Sequence, residues 1–175
     1  MAGNRTLKPP NGRIVVMGVS GAGKTTIGRL LASELGGRFV DADDLHPPGN
    51  IAKMAAGSPL SDDDRKQWLA SISELLIAQP PADPLIVACS ALKRAYREAL
   101  GPAPFSLVYL KGDRHLIARR LEARRGHFMP TSLLDSQFAA LEEPHDALTL
   151  NVEQPPETLV RDILISLYGP SATPD

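Results

Sequence analysis

The sequence predicts an α/β protein in three layers, with five parallel strands flanked by helices on both faces. Three observations predict it. Short apolar runs of strand length alternate with longer segments whose apolar residues recur at helical spacing, an alternation that implies crossover connections and parallel pairing. Two of the runs, IVVM at 14–17 and LIVA at 85–88, are apolar throughout, as in strands covered on both faces. Finally, 175 residues, 43% hydrophobic and 22% charged, supply enough material for one compact domain but not for a second full one, so residues 1–175 are expected to form a single domain.

The elements follow in order. Residues 1–12 are polar, carry Pro9, Pro10 and Gly12, and read as a loose tail. Strand one is Arg13–Met17. After a glycine-rich turn, Ile27, Leu30, Leu31 and Leu35 mark a helix over Lys24–Leu35, stopped by Gly36 and Gly37. Phe39 and Val40 begin a second strand that runs extended into VDADDLHPPGN. Asp41 and Asp43, two apart on such a segment, are expected to point the same way and repel. A short helix is expected at 50–56, ended by Gly57.

Ser61 is the expected N-cap of a longer helix. Asp62, Asp63 and Asp64 fill its first turn, and Trp68, Leu69, Ile72, Leu75 and Leu76 form its apolar face. A proline-rich connector at 79–84 leads to strand three at 85–89, a helix at 92–100 and strand four at 105–110. Asp113 caps a helix to about 125, HFMPT breaks the pattern, and another helix spans about 132–141. A fifth strand at 147–152, a helix at Pro156–Tyr168 and a tail at 170–175 complete the chain.

Composition excludes several classes. A formal net charge of -1 leaves no basic field to attract nucleic acid or an anionic membrane. Cys89, the single cysteine, allows neither an internal disulfide nor a cysteine-based zinc site, and its apolar neighbours predict a buried thiol. No apolar run reaches the roughly 20 residues of a membrane span, and the N-terminus lacks an apolar signal core. A cytoplasmic protein is the expectation.

Gly18-Val19-Ser20-Gly21-Ala22-Gly23-Lys24-Thr25 matches G-x-x-x-x-G-K-[ST] between a predicted strand and a predicted helix, the context a phosphate-binding loop requires. Its backbone N–H groups and the helix N-terminus favour phosphate oxygens, Lys24 can reach the terminal phosphates, and the Thr25 hydroxyl can ligate magnesium. In a parallel sheet the end of strand two lies near this loop. Magnesium carried by a nucleotide would then sit between Thr25 and the aspartates, reversing the electrostatics that make the acidic cluster costly. A GTP switch would carry an Asn-Lys-x-Asp or Thr-Lys-x-Asp segment, and none occurs. An ATPase motor would end an apolar strand in Asp, whereas strand three ends Cys89-Ser90. A kinase acting on a compact metabolite is favoured.

Several segments together resemble the gluconokinases of the shikimate-kinase-like P-loop group: GVSGAGKT, residues 41–69, CSALKRAYREAL from Cys89, YLKG from Tyr109, RLEARRGHF from Arg120, LLDSQFAALEEP from Leu133 and NVEQP from Asn151. The His-Pro-x-x-Asn-x-x-Lys-Met and Cys-Ser-Ala-Leu-Lys segments are the more specific. The resemblance implies the P-loop kinase fold with a mobile lid (about 119–131), often a homodimer, and magnesium-dependent phosphorylation of D-gluconate by ATP at the 6-hydroxyl. The alternatives are a kinase for another small hydroxy acid such as shikimate, or a non-kinase P-loop NTPase acting as an interaction module. ATP contacts are implied for residues 18–25, Thr26, Arg120, Arg124, Gln154 and Pro155. Asp41 is implied to meet magnesium through water and Asp43 the acceptor hydroxyl. Ala42 stands where the family commonly has glycine, Gln67 where a proline precedes the Trp, and Asn151 and Glu153 where aspartates are frequent.

Gluconate, a polyol with one carboxylate, needs hydrogen-bonding groups and a fixed cation. Lys53, Arg65 and Arg97 are candidates for the cation, Arg65 foremost because a guanidinium pairs bidentately with carboxylate. His46 and Asn50 are expected hydroxyl partners, with Ser90 and His127 completing the substrate set. Arg120 and Arg124, four apart on one helical face, resemble lid arginines that reach the transferring phosphoryl group, with Arg124 catalytic beside Lys24 and Asp43.

Overall fold

The computed structural model describes residues 12–124 and 131–170. Its elements are β1 (Arg13–Met17), α1 (Lys24–Leu35), β2 (Arg38–Asp41), a 3-10 turn (Ala42–Leu45), α2 (Pro48–Ala55), α3 (Asp62–Ala78), β3 (Leu85–Ala88), α4 (Arg94–Ala99), β4 (Ser106–Lys111), α5 (Arg114–Ala123), α6 (Thr131–Ala140), β5 (Leu148–Asn151) and α7 (Pro156–Tyr168). The strands form one sheet in the order β2-β3-β1-β4-β5, all pairs parallel.

β1 is central because it can be buried on both faces. Its pleat sends Ile14 and Val16 into one core, shared with Ile27 and Leu31 of α1, Ile117 of α5 and Ile163 of α7. Val15 and Met17 enter the other, against Trp68, Leu69, Ile72 and Leu76 of α3. Arg13, at the opposite end of the strand, caps α3: its Nε donates to Leu76 O at 2.6 Å and its Nη2 to Gln79 O at 2.7 Å. These carbonyls belong to the end of a helix that has no further N–H to offer them.

The chain crosses from β1 to β2 on one side of the sheet and reaches β4 on the other. This places a crevice beyond the carboxyl end of β1. Three boundaries differ from expectation around that crevice. α2 starts two residues early, since Pro47 is its N-cap and Pro48, with φ preset for a helix, occupies its first turn. α4 starts only at Arg94, because Ala91 adopts a left-handed φ of 42° and Leu92 turns into the core, 8% exposed. α5 ends at Ala123, with Arg124 already extended at ψ 108°.

Among the described residues no helix is long and apolar enough to cross a membrane. Residues 125–130 of the expected lid, His127 among them, and most of both expected tails lie outside the described residues.

Candidate active site

The turn from β1 to α1 has the shape a phosphate loop needs. Gly23 adopts φ 100° as N-cap of α1, and the space its missing Cβ would point into is open. Gly21, at φ 84°, lies under α5, where an added Cβ would stand 3.0 Å from Leu121 Cγ. Lys24 Nζ donates to Val19 O across the loop at 3.0 Å. Burial pulls its ammonium below the ordinary lysine range, while Asp43 and Asp41 oppose that shift. Thr26, next on the helix, is exposed.

A residue not anticipated from the sequence also holds this loop. Gln137 of α6 accepts from the Ser20 backbone N–H at 2.7 Å and donates to Ser20 Oγ at 2.9 Å. Its segment, LLDSQFAALEEP, is one of those that carry the family resemblance, but a polar residue on a helix does not specify its partner.

The acidic segment is not extended. Asp41 closes β2 and caps the 3-10 turn by accepting the Asp43 backbone N–H on Oδ1 at 3.0 Å, a local bond that an Asp side chain makes readily and that turns the chain at once. The two carboxylates are therefore set by a turn and not by strand pleating, although they still repel. Asp41 Oδ2 accepts from Thr25 Oγ1 at 3.2 Å, joining the acidic turn to the phosphate loop. Ala42 is fully buried in the turn, so its methyl group packs in the core.

Asp43 is open at its surface yet recessed among protein atoms. That desolvation raises its carboxyl above the usual range, with Asp41 adding to the shift and Lys24 opposing it. Among the described residues no three His, Cys, Asp or Glu side chains converge into a metal-binding set. The Thr25 hydroxyl and Asp41 carboxylate are hard oxygen donors that fit magnesium only if phosphate and water supply the remaining ligands.

Beyond Asp43, His46 stacks on Trp68 with centroids 4.4 Å apart, and Trp68 Nε1 donates to Ala42 O at 2.6 Å. Asn50 is buried, its Nδ2 shared between His46 Nδ1 at 3.2 Å and Asp64 O at 2.8 Å. Burial lowers the pKa of His46, Asp43 opposes, and Arg65 adds to the lowering.

The three candidate cations are not equivalent. Lys53 is committed to Asp64, Nζ to Oδ1 at 2.7 Å. Arg65 donates from Nη1 to Leu60 O at 2.5 Å and lies over the Tyr96 ring at 5.5 Å, and it has no carboxylate partner among the described residues. Arg97 donates from Nη1 to Ala91 O at 2.9 Å and Leu92 O at 3.0 Å, bracing the left-handed bend beside Ser90.

Arg120 and Arg124 do not share a helical face as expected, because α5 ends before Arg124. Arg120 Nη2 donates to Val152 O, bringing α5 beside the exposed Gln154 and Pro155, the latter the N-cap of α7. Arg124, exposed, lies close enough to Lys24 to lower its pKa. Asn151 Oδ1 accepts the Glu153 N–H at 3.0 Å, closing the start of the same loop.

A phosphate loop after the central strand, joined through Thr25 to an acidic turn at the end of β2, defines a small-molecule kinase of the P-loop class. Residues 20–164 match the shikimate kinase family profile. The chain is 44% identical over 153 residues to the thermoresistant gluconokinase of Escherichia coli K12, a match covering 83% of this chain and 87% of that protein. It is also 44% identical to the gluconokinase of Gluconobacter oxydans, covering 86% of this chain and 88% of that protein. A solved gluconokinase structure from Sinorhizobium meliloti 1021 superposes with a TM-score of 0.82 at 44% identity, covering 91% and 93% of the two chains. The chain belongs to the gluconokinase family, within the shikimate-kinase group.

Proposed function

We propose that the protein transfers the terminal phosphoryl group of ATP to the 6-hydroxyl of D-gluconate, giving 6-phospho-D-gluconate and ADP. The observation that carries this reading is the hydrogen bond from Thr25 to Asp41, which sets an acidic turn beside the phosphate loop in a chain of this family. The loop at 18–25 holds the phosphates, with Lys24 leaving Val19 O for the terminal phosphoryl oxygens. Thr25, and Asp41 through water, would hold magnesium, which would supply neutralisation of charge on the phosphates.

Asp43 orients the 6-hydroxyl and takes its proton as the oxygen bonds to phosphorus and the bond to the departing ADP oxygen breaks. Its raised pKa suits a base better than an ordinary carboxylate. Arg65 pairs with the sugar-acid carboxylate, and His46 and Asn50 meet hydroxyls, Asn50 through Oδ1 because its amide hydrogens are engaged. Ser90, Arg97, Lys53 and His127 complete this reading of the substrate site. Arg120, Gln154 and Pro155 flank the nucleotide, and Arg124 stabilises charge on the transferring group. The single domain, the lid at about 119–131 and a homodimer belong to the same proposal; light scattering tests the last.

Coupled ADP release over a panel of gluconate, shikimate, glycerate, adenylyl sulfate and nucleoside monophosphates tests the activity. Magnesium-dependent release with gluconate alone is expected. Release with another acceptor and none with gluconate would overturn the assignment.

A further inference from the structure

Gln137 grips Ser20 across 117 residues of chain, and hydrogen-bond chemistry dictates the sense of each contact. A backbone N–H can only donate, so the amide atom 2.7 Å from Ser20 N is the carbonyl oxygen Oε1. The other atom is then the NH2 group, which can only donate, so Ser20 Oγ accepts from it at 2.9 Å. The Ser20 hydroxyl proton is left over. Among the described residues it has no protein acceptor, and Ser20 is only half-buried in the loop. The next residue, Gly21, has no room for a Cβ, which would meet Leu121 and Ile117 of α5.

We propose that Gln137 is a positioning residue for nucleotide binding: it holds Ser20 so that the serine hydroxyl proton is free to donate to a phosphate oxygen. This rests on the loop at 18–25 being the ATP phosphate site. A backbone clamp alone would need only the Oε1 contact, whereas the second contact decides which way the hydroxyl donates.

Two readouts on the full-length protein separate the contacts: ATP affinity by calorimetry, and hydrogen exchange of the Ser20 amide without nucleotide. Gln137→Ala should lose protection at the amide and weaken ATP binding roughly tenfold, the scale of one lost hydrogen bond to a charged group, with the gluconate KM within about twofold. Gln137→Glu keeps the shape and still accepts the Ser20 N–H, but it has no donor. Its carboxylate therefore draws the serine proton to itself and adds repulsion toward the phosphates.

Gln137→Glu should thus retain amide protection and yet bind ATP more weakly than Gln137→Ala. In a Ser20→Ala background, Gln137→Ala should cost less than about twofold further. Wild-type ATP affinity in Gln137→Glu, full additivity with Ser20→Ala, or equal loss of gluconate and ATP binding would overturn the proposal. A wild-type protein that fails to bind ATP would overturn the loop reading itself, and this inference with it.

Discussion

Asp43 sits where desolvation and the neighbouring Asp41 both oppose its ionisation, yet the proposed proton transfer needs it ionised. The acid limb of kcat/KM, which reports the free enzyme, should therefore lie above the ordinary carboxylate range, with rate lost as pH falls through the raised pKa. Asp43→Asn keeps the shape but loses the basic lone pair. It should lower kcat by roughly 10² to 10⁴ and flatten that limb, with gluconate KM little changed. Asp41→Asn should instead raise the magnesium concentration for half-maximal rate; if both variants show the same magnesium defect, the two roles are wrongly divided. Arg65→Ala should raise the gluconate KM by roughly 10- to 100-fold and leave the ATP KM near its starting value, because a charge-assisted contact is lost. Lys53→Ala should change it less, since that lysine already neutralises Asp64. The reverse ranking in steady-state kinetics would move the carboxylate site to Lys53.

At the scale of elements, α3 supports the substrate side from its first turn. Ser61 accepts the Asp64 N–H while Asp64 accepts the Ser61 N–H, a reciprocal capping box, and Asp64 also meets Lys53. Ser61→Ala should cost about 1 kcal/mol in urea unfolding. Hydrogen bonds from Lys53 and from Ser61 lower the Asp64 pKa from 3.8 to about 2. A depressed carboxylate contributes stability that is present above its unfolded pKa and lost as pH falls toward the folded one. The Asp64 contribution should therefore fade between roughly pH 4 and pH 2, and Asp64→Asn should remove that part of the acid dependence. One turn later, Trp68 ties α3 to the acidic turn through Ala42 O and carries the His46 ring. Trp68→Phe keeps an aromatic face but orphans that carbonyl, which should cost about 1–3 kcal/mol.

For the whole molecule, binding at the crevice is linked to global unfolding. Saturation with ATP at 100 times its Kd should stabilise the fold by about 2.7 kcal/mol, read as a rise in Tm. Lys24→Ala should fold normally and lose most of that rise together with turnover, since its ammonium lies in the loop and not in either core. Chelation of magnesium should reduce the shift in the wild-type protein. Undiminished nucleotide stabilisation in Lys24→Ala would place ATP elsewhere.

What the sequence determined by itself was whatever depends on neighbours in the chain. The phosphate loop, the ends of α1 and α7, the Ser61 and Asp113 caps, and the burial of β1 and β3 rest on backbone chemistry or periodicity within a few residues. Chain-local chemistry also underlies the 3-10 turn, but a single Asp bond competed there with strand continuation and the apolar pattern could not arbitrate. Only the tertiary structure decided which cation was already paired, that Arg97 braces the bend at Ala91, that Arg120 turns to Val152 while Arg124 comes near Lys24, and that Gln137 reaches Ser20. Long polar side chains have many acceptors within reach. Which one they meet is set by where packing of the two cores places the other elements, and no local pattern encodes that.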